Sequence, residues 1–211
     1  MKGASGGNRA FAVSAKTLAV ISVYAALIVA AQFVLSFAAG VELVSLMIIV
    51  FSVAFGPFKG VVCTLVFVLI RGFVFPYVYP NIVADYALYF PALSLVTGLY
   101  GILLNRAYAE KRVAAGLENE ESGVKRALSR RFVLIFAGLC LLAAALTPCF
   151  TLIDNLVYPK IAGLGAKSAK AYFYSSLPTL AVHTASVTLS VIFLFLPAYH
   201  ALVALKRNMG I

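Results

Sequence analysis

The sequence predicts an all-α integral membrane protein with six transmembrane helices and both termini in the cytoplasm. Three observations predict it. The chain has 211 residues, of which 63% are hydrophobic and only 11% charged, against about 25% charged in soluble domains. Several apolar runs reach the roughly 20 residues that a helix needs to cross a bilayer. Lys and Arg are distributed unevenly between the two sets of loops. The other spanning architecture is a closed β-barrel, whose strands alternate in polarity. The run Leu43 to Val50 does not alternate.

The first span, 16–38, follows Lys2, Arg9 and Lys16 and runs out at Ala38-Ala39-Gly40. Its apolar stretch from Thr17 to Ala39 exceeds the roughly 7–15 residues of a secretory h-region, so it reads as a retained helix after a tail of residues 1–15. The second and third spans, 42–57 and 59–75, form a hairpin around Gly56-Pro57, a turn dipeptide. Pro76 and Pro80 flank the next loop, and the fourth span covers 85–105. The hydrophilic segment 106–131 carries seven Lys and Arg against four Glu. It reads as two helical extensions around a flexible middle near Gly116–Gly123. The fifth and sixth spans, 132–153 and 176–205, enclose an outer loop of about 154–175, and 206–211 is a tail.

With the N-terminus inside, thirteen Lys and Arg fall on the cytoplasmic side and four outside. That bias sets the orientation, and an even number of spans returns the C-terminus to the same side. The net charge of +10 therefore belongs to the inner loops and does not point to nucleic acid. Cys63, Cys140 and Cys149 lie in apolar spans, are odd in number and form no CxxC. They read as small core residues rather than a disulfide or metal set. The sequence shows no internal repeat, which counts against a repeat-built secondary transporter.

Five ionisable residues interrupt the apolar spans: Glu42, Arg71, Asp85, Asp154 and His183. The topology gathers all five toward the outer side. Charge within a bilayer is costly and marks a substrate path, a relay or a structural pair. The second span sharpens this. From Glu42 to Phe55 it has 14 residues, about 21 Å of helix, against a core of about 30 Å. Glu42 is then recessed, with free helix N–H groups to satisfy. Each residue also has a plainer reading. Glu42 and Asp85 fit as helix caps, and Asp154 as a helix end. Arg71 fits as a partner of Glu42 or Asp85, and His183 as a satisfied core histidine.

Seven of eleven tyrosines fall near the outer ends: Tyr77, Tyr79, Tyr86, Tyr89, Tyr158, Tyr172 and Tyr174. They read either as an interfacial belt in a chain without Trp or as the wall of a ligand site. Glu42 is the candidate acceptor for a ligand amine or hydroxyl, and Arg71 the candidate clamp for a carboxylate or phosphate. Tyr79, Asn81, Asp85 and Tyr86 stand as lid and wall, Tyr172 and Tyr174 close the site, and His183 lies beneath. No GxSxG, HExxH or Walker A sequence occurs, and Ser175-Ser176 makes no triad with His183. His183 and His200 lie about 25 Å apart on one helix and cannot share a metal. No enzyme activity, cofactor or metal is expected.

In the first span Ser22, Ala26 and Ala30 recur every four residues. Such a stripe admits close helix approach, either within the chain or to another membrane protein. The stripe carries a resemblance. With Ala26 and Ala30 as an AxxxA pattern, Val41 to Ile49 as the second helix and Phe55-Gly56 after it, the chain resembles the substrate-binding S component of energy-coupling factor (ECF) transporters. Pro-Asn often precedes the Glu in the subgroup with this second helix, whereas Ala39-Gly40 stands here. The resemblance implies a high-affinity binder of a vitamin or related micronutrient in a bacterial plasma membrane. It also implies a T component docked on the first helix and two ATPase subunits that drive transport. The alternatives are a small ion-coupled transporter or channel working as an oligomer, and a membrane-embedded enzyme or assembly factor.

Overall fold

The computed structural model describes residues 14–37, 42–75, 79–117 and 130–211. Residues 118–123 of the expected middle of the hydrophilic segment, and Tyr77, lie outside them, whereas Gly116 is still helical. Six helices and no strand occur among the described residues: α1 (Ala15–Leu35), α2 (Val44–Phe55), α3 (Pro57–Val74), α4 (Pro80–Leu117), α5 (Arg130–Ile161) and α6 (Ala166–Met209). Five of them are long and apolar enough to cross a membrane.

The sixth, α2, differs from the expected span. It has 12 residues, about 18 Å, and eleven of the twelve are buried. A helix that is apolar all round belongs in the middle of a bundle rather than against lipid. Accordingly, α2 packs against α1, α3, α4 and α6. Its ends fall short of the roughly 30 Å core, where backbone groups must find partners inside the protein. The partners come from other helices. Asn105 Nδ2 donates to Val53 O at 2.9 Å and Lys206 Nζ to Ala54 O at 2.9 Å. At the other end, the Glu42 N–H donates to Ser186 Oγ at 3.0 Å. Lys206 therefore belongs to the last turn of α6, not to a free tail.

Gly56 turns the chain between α2 and α3 at φ 93°, a conformation that favours glycine, and Pro57 starts α3 where its missing N–H costs nothing. On the far side of α2, α4 approaches backbone to backbone. A Cβ at Gly101 would lie 2.7 Å from Val53 Cα, and one at Gly98 would lie 2.6 Å from Pro57 Cα. Ser52 Oγ meets Ser94 Oγ at 2.8 Å on the same seam.

The helix α1 starts at Ser14, whose Oγ accepts from the Thr17 N–H at 3.2 Å. It buries Thr17, Val20, Ile21, Ala25, Ile28 and Val29, a stripe at helical spacing. Ser22, Ala26 and Ala30 are exposed on another face. They are not packed inside this chain.

Three expected boundaries shift. Instead of a loop over 154–175, α5 continues to Ile161 and α6 begins at Ala166, so a connection of residues 162–165 joins them. Pro80, not Asp85, begins α4. The apolar pattern marks only the part of a helix that meets lipid or core. Helix continues past it wherever local propensity and capping allow, and α6 at 44 residues is about 66 Å long.

Candidate functional site

The bundle has two unlike ends. At one, Lys16 Nζ donates to Met209 O at 3.3 Å, Lys206 holds the end of α2, and Tyr199 bonds Asn105. This end carries Lys16, Lys59, Lys206 and Arg207. The opposite end gathers Glu42, Arg71, Asp85, Asp154 and His183. The contacts described next place them there in separate neighbouring groups.

A cavity of about 60 Å³ lies there, lined by Glu42, Ser45, Tyr86, Tyr89, Phe90, Thr147, Phe150 and His183. Its walls come from the start of α2, from α4 and α5, and from α6. Glu42 Oε1 accepts from the Ser45 N–H at 3.1 Å and from Ser45 Oγ at 3.4 Å. The carboxylate thus serves as the cap of α2 while it lines the cavity with His183. The Tyr89 hydroxyl lies near Ser45 and Thr147 but makes no hydrogen bond, although Tyr89 is only 4% exposed. Buried hydroxyls are normally satisfied. Tyr86, Tyr89, Phe90 and Phe150 pack edge to face around this space, with centroids 4.9 to 5.6 Å apart for Tyr86–Phe90, Tyr89–Phe150 and Tyr86–Phe150.

Arg71 is not paired with Glu42 or Asp85. Its Cζ lies 3.9 Å from the Tyr86 ring centroid and 5.0 Å from that of Phe75. Its Nε is buried without a hydrogen-bond partner. Gln32, from α1, donates through Nε2 to the Tyr86 hydroxyl at 2.6 Å, and its Oε1 is likewise unpartnered.

A second polar cluster lies beside the cavity. Asp154 accepts from Asn81 Nδ2 at 3.2 Å and from the Tyr172 hydroxyl. Asp85, only 2% exposed, is the near neighbour of Asp154 and leaves Oδ1 unpartnered. Asp154 does not mark the end of α5, which continues for seven more residues to Ile161. It ties α4, α5 and α6 together. The helix-end reading of Asp154 fails because the apolar pattern stops there while the helix itself continues. Asn155 adds a bond to Ser176 at 2.8 Å. Tyr172 stacks on Tyr158 at 4.7 Å.

Of the other expected residues, Tyr79 and Tyr174 are 55% and 58% exposed and border no part of the cavity. Tyr172 and Asn81 bind Asp154 rather than the cavity space. Sequence reasoning did not reach Gln32, Ser45, Thr147, Phe150 or Ser186. Small hydroxyls and aromatics inside an apolar span carry no hydropathy signal. A Gln inside the first span did carry one. No group of His, Cys, Asp and Glu among the described residues could hold a metal ion. Cys63 is buried, and Cys140 and Cys149 are half-buried, all three as free thiols.

No protein family, curated protein or solved structure matches this chain.

Proposed function

We propose that this chain is a membrane substrate-binding subunit for the uptake of a small polar molecule, working as the S component of an ECF-type transporter. The observation that carries it is the cavity at one end of the bundle. Glu42, His183 and the unpartnered Tyr89 hydroxyl line it as a few polar groups among aromatic walls, the composition of a small-molecule site. In this reading the cavity end faces outward, both termini are cytoplasmic and the basic end faces inward. The ligand is a vitamin or related micronutrient. The exposed stripe Ser22, Ala26 and Ala30 docks a T component, two ATPase subunits supply the energy, and the membrane is a bacterial plasma membrane.

Purification in mild detergent followed by native mass spectrometry tests both parts. The expected result is a small molecule bound to the chain, and a T subunit with ATPases when the partners are co-expressed. Uptake that follows a proton gradient and ignores ATP hydrolysis would overturn the ECF reading.

The Asp85–Asp154 pair favours a second reading, a small ion-coupled transporter or channel. Two carboxyls side by side inside a bundle, with no cationic side chain paired to either among the described residues, suit a proton or a monovalent cation. Uptake unchanged by Asp85→Asn and Asp154→Asn would remove this alternative.

A further inference from the structure

Tyr86 borders the small cavity and also carries the Arg71 guanidinium on its ring. We propose that Tyr86 is a movable partition between two halves of one ligand site, and that the ligand carries an anionic group which replaces Tyr86 against Arg71 and Gln32. The proposal rests on the reading of the cavity as a ligand site and adds the class of ligand.

Size is the first argument. The cavity holds about 60 Å³, room for a few waters at about 10–15 Å³ each, whereas small-molecule sites run to about 300–1,000 Å³. A larger ligand enters only if a wall moves. Of the aromatic walls, Tyr89 and Phe90 are each 4% exposed, while Tyr86 and Phe150 are half-buried, and of these two it is Tyr86 that has unpartnered polar groups on the side away from the cavity. Tyr86 is held by one hydrogen bond from Gln32 and by ring contacts.

Unsatisfied polar groups are the second argument, and they lie on both sides of this ring. The Tyr89 hydroxyl is unpartnered in the cavity wall, and Arg71 Nε and Gln32 Oε1 are unpartnered on the side away from it. Arg71 is half-buried, has no carboxylate partner among the described residues and leaves Nε unpartnered, so an anion would add a charge-assisted contact there. The donors of Gln32 Nε2 and of the Arg71 guanidinium converge on Tyr86. If the ring swings aside, both donors face the vacated space. A carboxylate or phosphate accepts from both, and the planar guanidinium suits such a group bidentately. A neutral ligand would leave the guanidinium unneutralised. The rest of the ligand would then reach past the old ring position toward Glu42, Tyr89 and His183.

The test uses Tyr86→Ala, with benzoate and phenol as probes in detergent-solubilised protein, read by titration calorimetry. Benzoate should bind Tyr86→Ala at least tenfold tighter than it binds the wild type, and at least tenfold tighter than phenol binds the same variant. Adding Arg71→Met should remove the preference for benzoate over phenol. Tyr86→Phe keeps the ring and loses only the Gln32 bond, so it should bind benzoate more weakly than Tyr86→Ala does. Equal benzoate binding by wild type and Tyr86→Ala overturns the partition. Equal binding of phenol and benzoate overturns the anionic half-site. If Tyr86→Ala does not fold, Tyr86→Val takes the same probes. These results stand apart from the functional reading, which fails instead if no molecule co-purifies and no T subunit binds.

Discussion

The Arg71 guanidinium lies over the ring of Tyr86, Cζ 3.9 Å from its centroid, with no carboxylate paired to it among the described residues. The ring supplies part of the compensation that an anion would give, and a contact of this kind contributes about 0.5–2 kcal/mol depending on its exposure. Arg71→Met keeps the length of the side chain and removes the charge. Because the guanidinium is half-buried and has no carboxylate partner among the described residues, the thermal midpoint in detergent should fall by no more than a few degrees. Ligand retention in native mass spectrometry should be lost. A large drop in stability with ligand retained would show Arg71 to be structural only.

Glu42 caps α2 through the Ser45 N–H and hydroxyl. Glu42→Gln preserves an acceptor and should cost well under 1 kcal/mol. Glu42→Ala leaves the N–H unpartnered and should cost about 1 kcal/mol. If both variants lose ligand binding equally while only Glu42→Ala loses stability, the charge serves the ligand and the acceptor serves the cap. Thermal melting and ligand mass spectrometry on the same preparations separate the two.

Asp154 holds α4, α5 and α6 through Asn81 and Tyr172. Asp154→Ala strands both donors and should destabilise by about 1–3 kcal/mol. Tyr172→Phe removes one donor, and its effect should shrink in the Asp154→Ala background, since partners in one network are not additive. A double-mutant cycle by chemical denaturation measures this. Strict additivity would mean that the network does not couple the helices.

Gly101 lets α4 approach Val53 of α2, where a Cβ would lie 2.7 Å from Val53 Cα. The obstacle is backbone, so no rotamer relieves it. Gly101→Ala should destabilise by about 1–3 kcal/mol, visible as a lower melting temperature in detergent, whereas Gly72→Ala, which meets nothing within 4 Å, should be nearly neutral.

Ala26 and Ala30 are exposed on α1. Ala26→Leu with Ala30→Leu should leave melting temperature and ligand retention unchanged while abolishing capture of a T subunit. Loss of fold would instead place the stripe in contacts within this chain.

Particular residues show how far the sequence could be read. Hydropathy located all six helices because lipid-facing and core-facing segments both need apolar side chains, and Gly56-Pro57 marked the α2–α3 turn. It could not tell the lipid-facing α3 from the buried α2, since both look apolar from the chain alone. It also could not extend α5 and α6 through 154–175, where polar residues sit on continuing helix. The five charged interruptions were visible because charge in an apolar span stands out. Gln32 and the Tyr89 hydroxyl became significant only when the helices around them left them without partners.

The sequence by itself determined that this is a helical membrane protein whose apolar spans are interrupted by five ionisable residues, because charge in an apolar run and the length of a span are local matters of composition. Only the tertiary structure decided that Arg71 rests on Tyr86, that Asp154 ties three helices together, and that Asn105 and Lys206 hold the end of α2. Those relationships depend on which helix faces come together. That choice is made by packing between residues far apart in the chain, which no local pattern encodes.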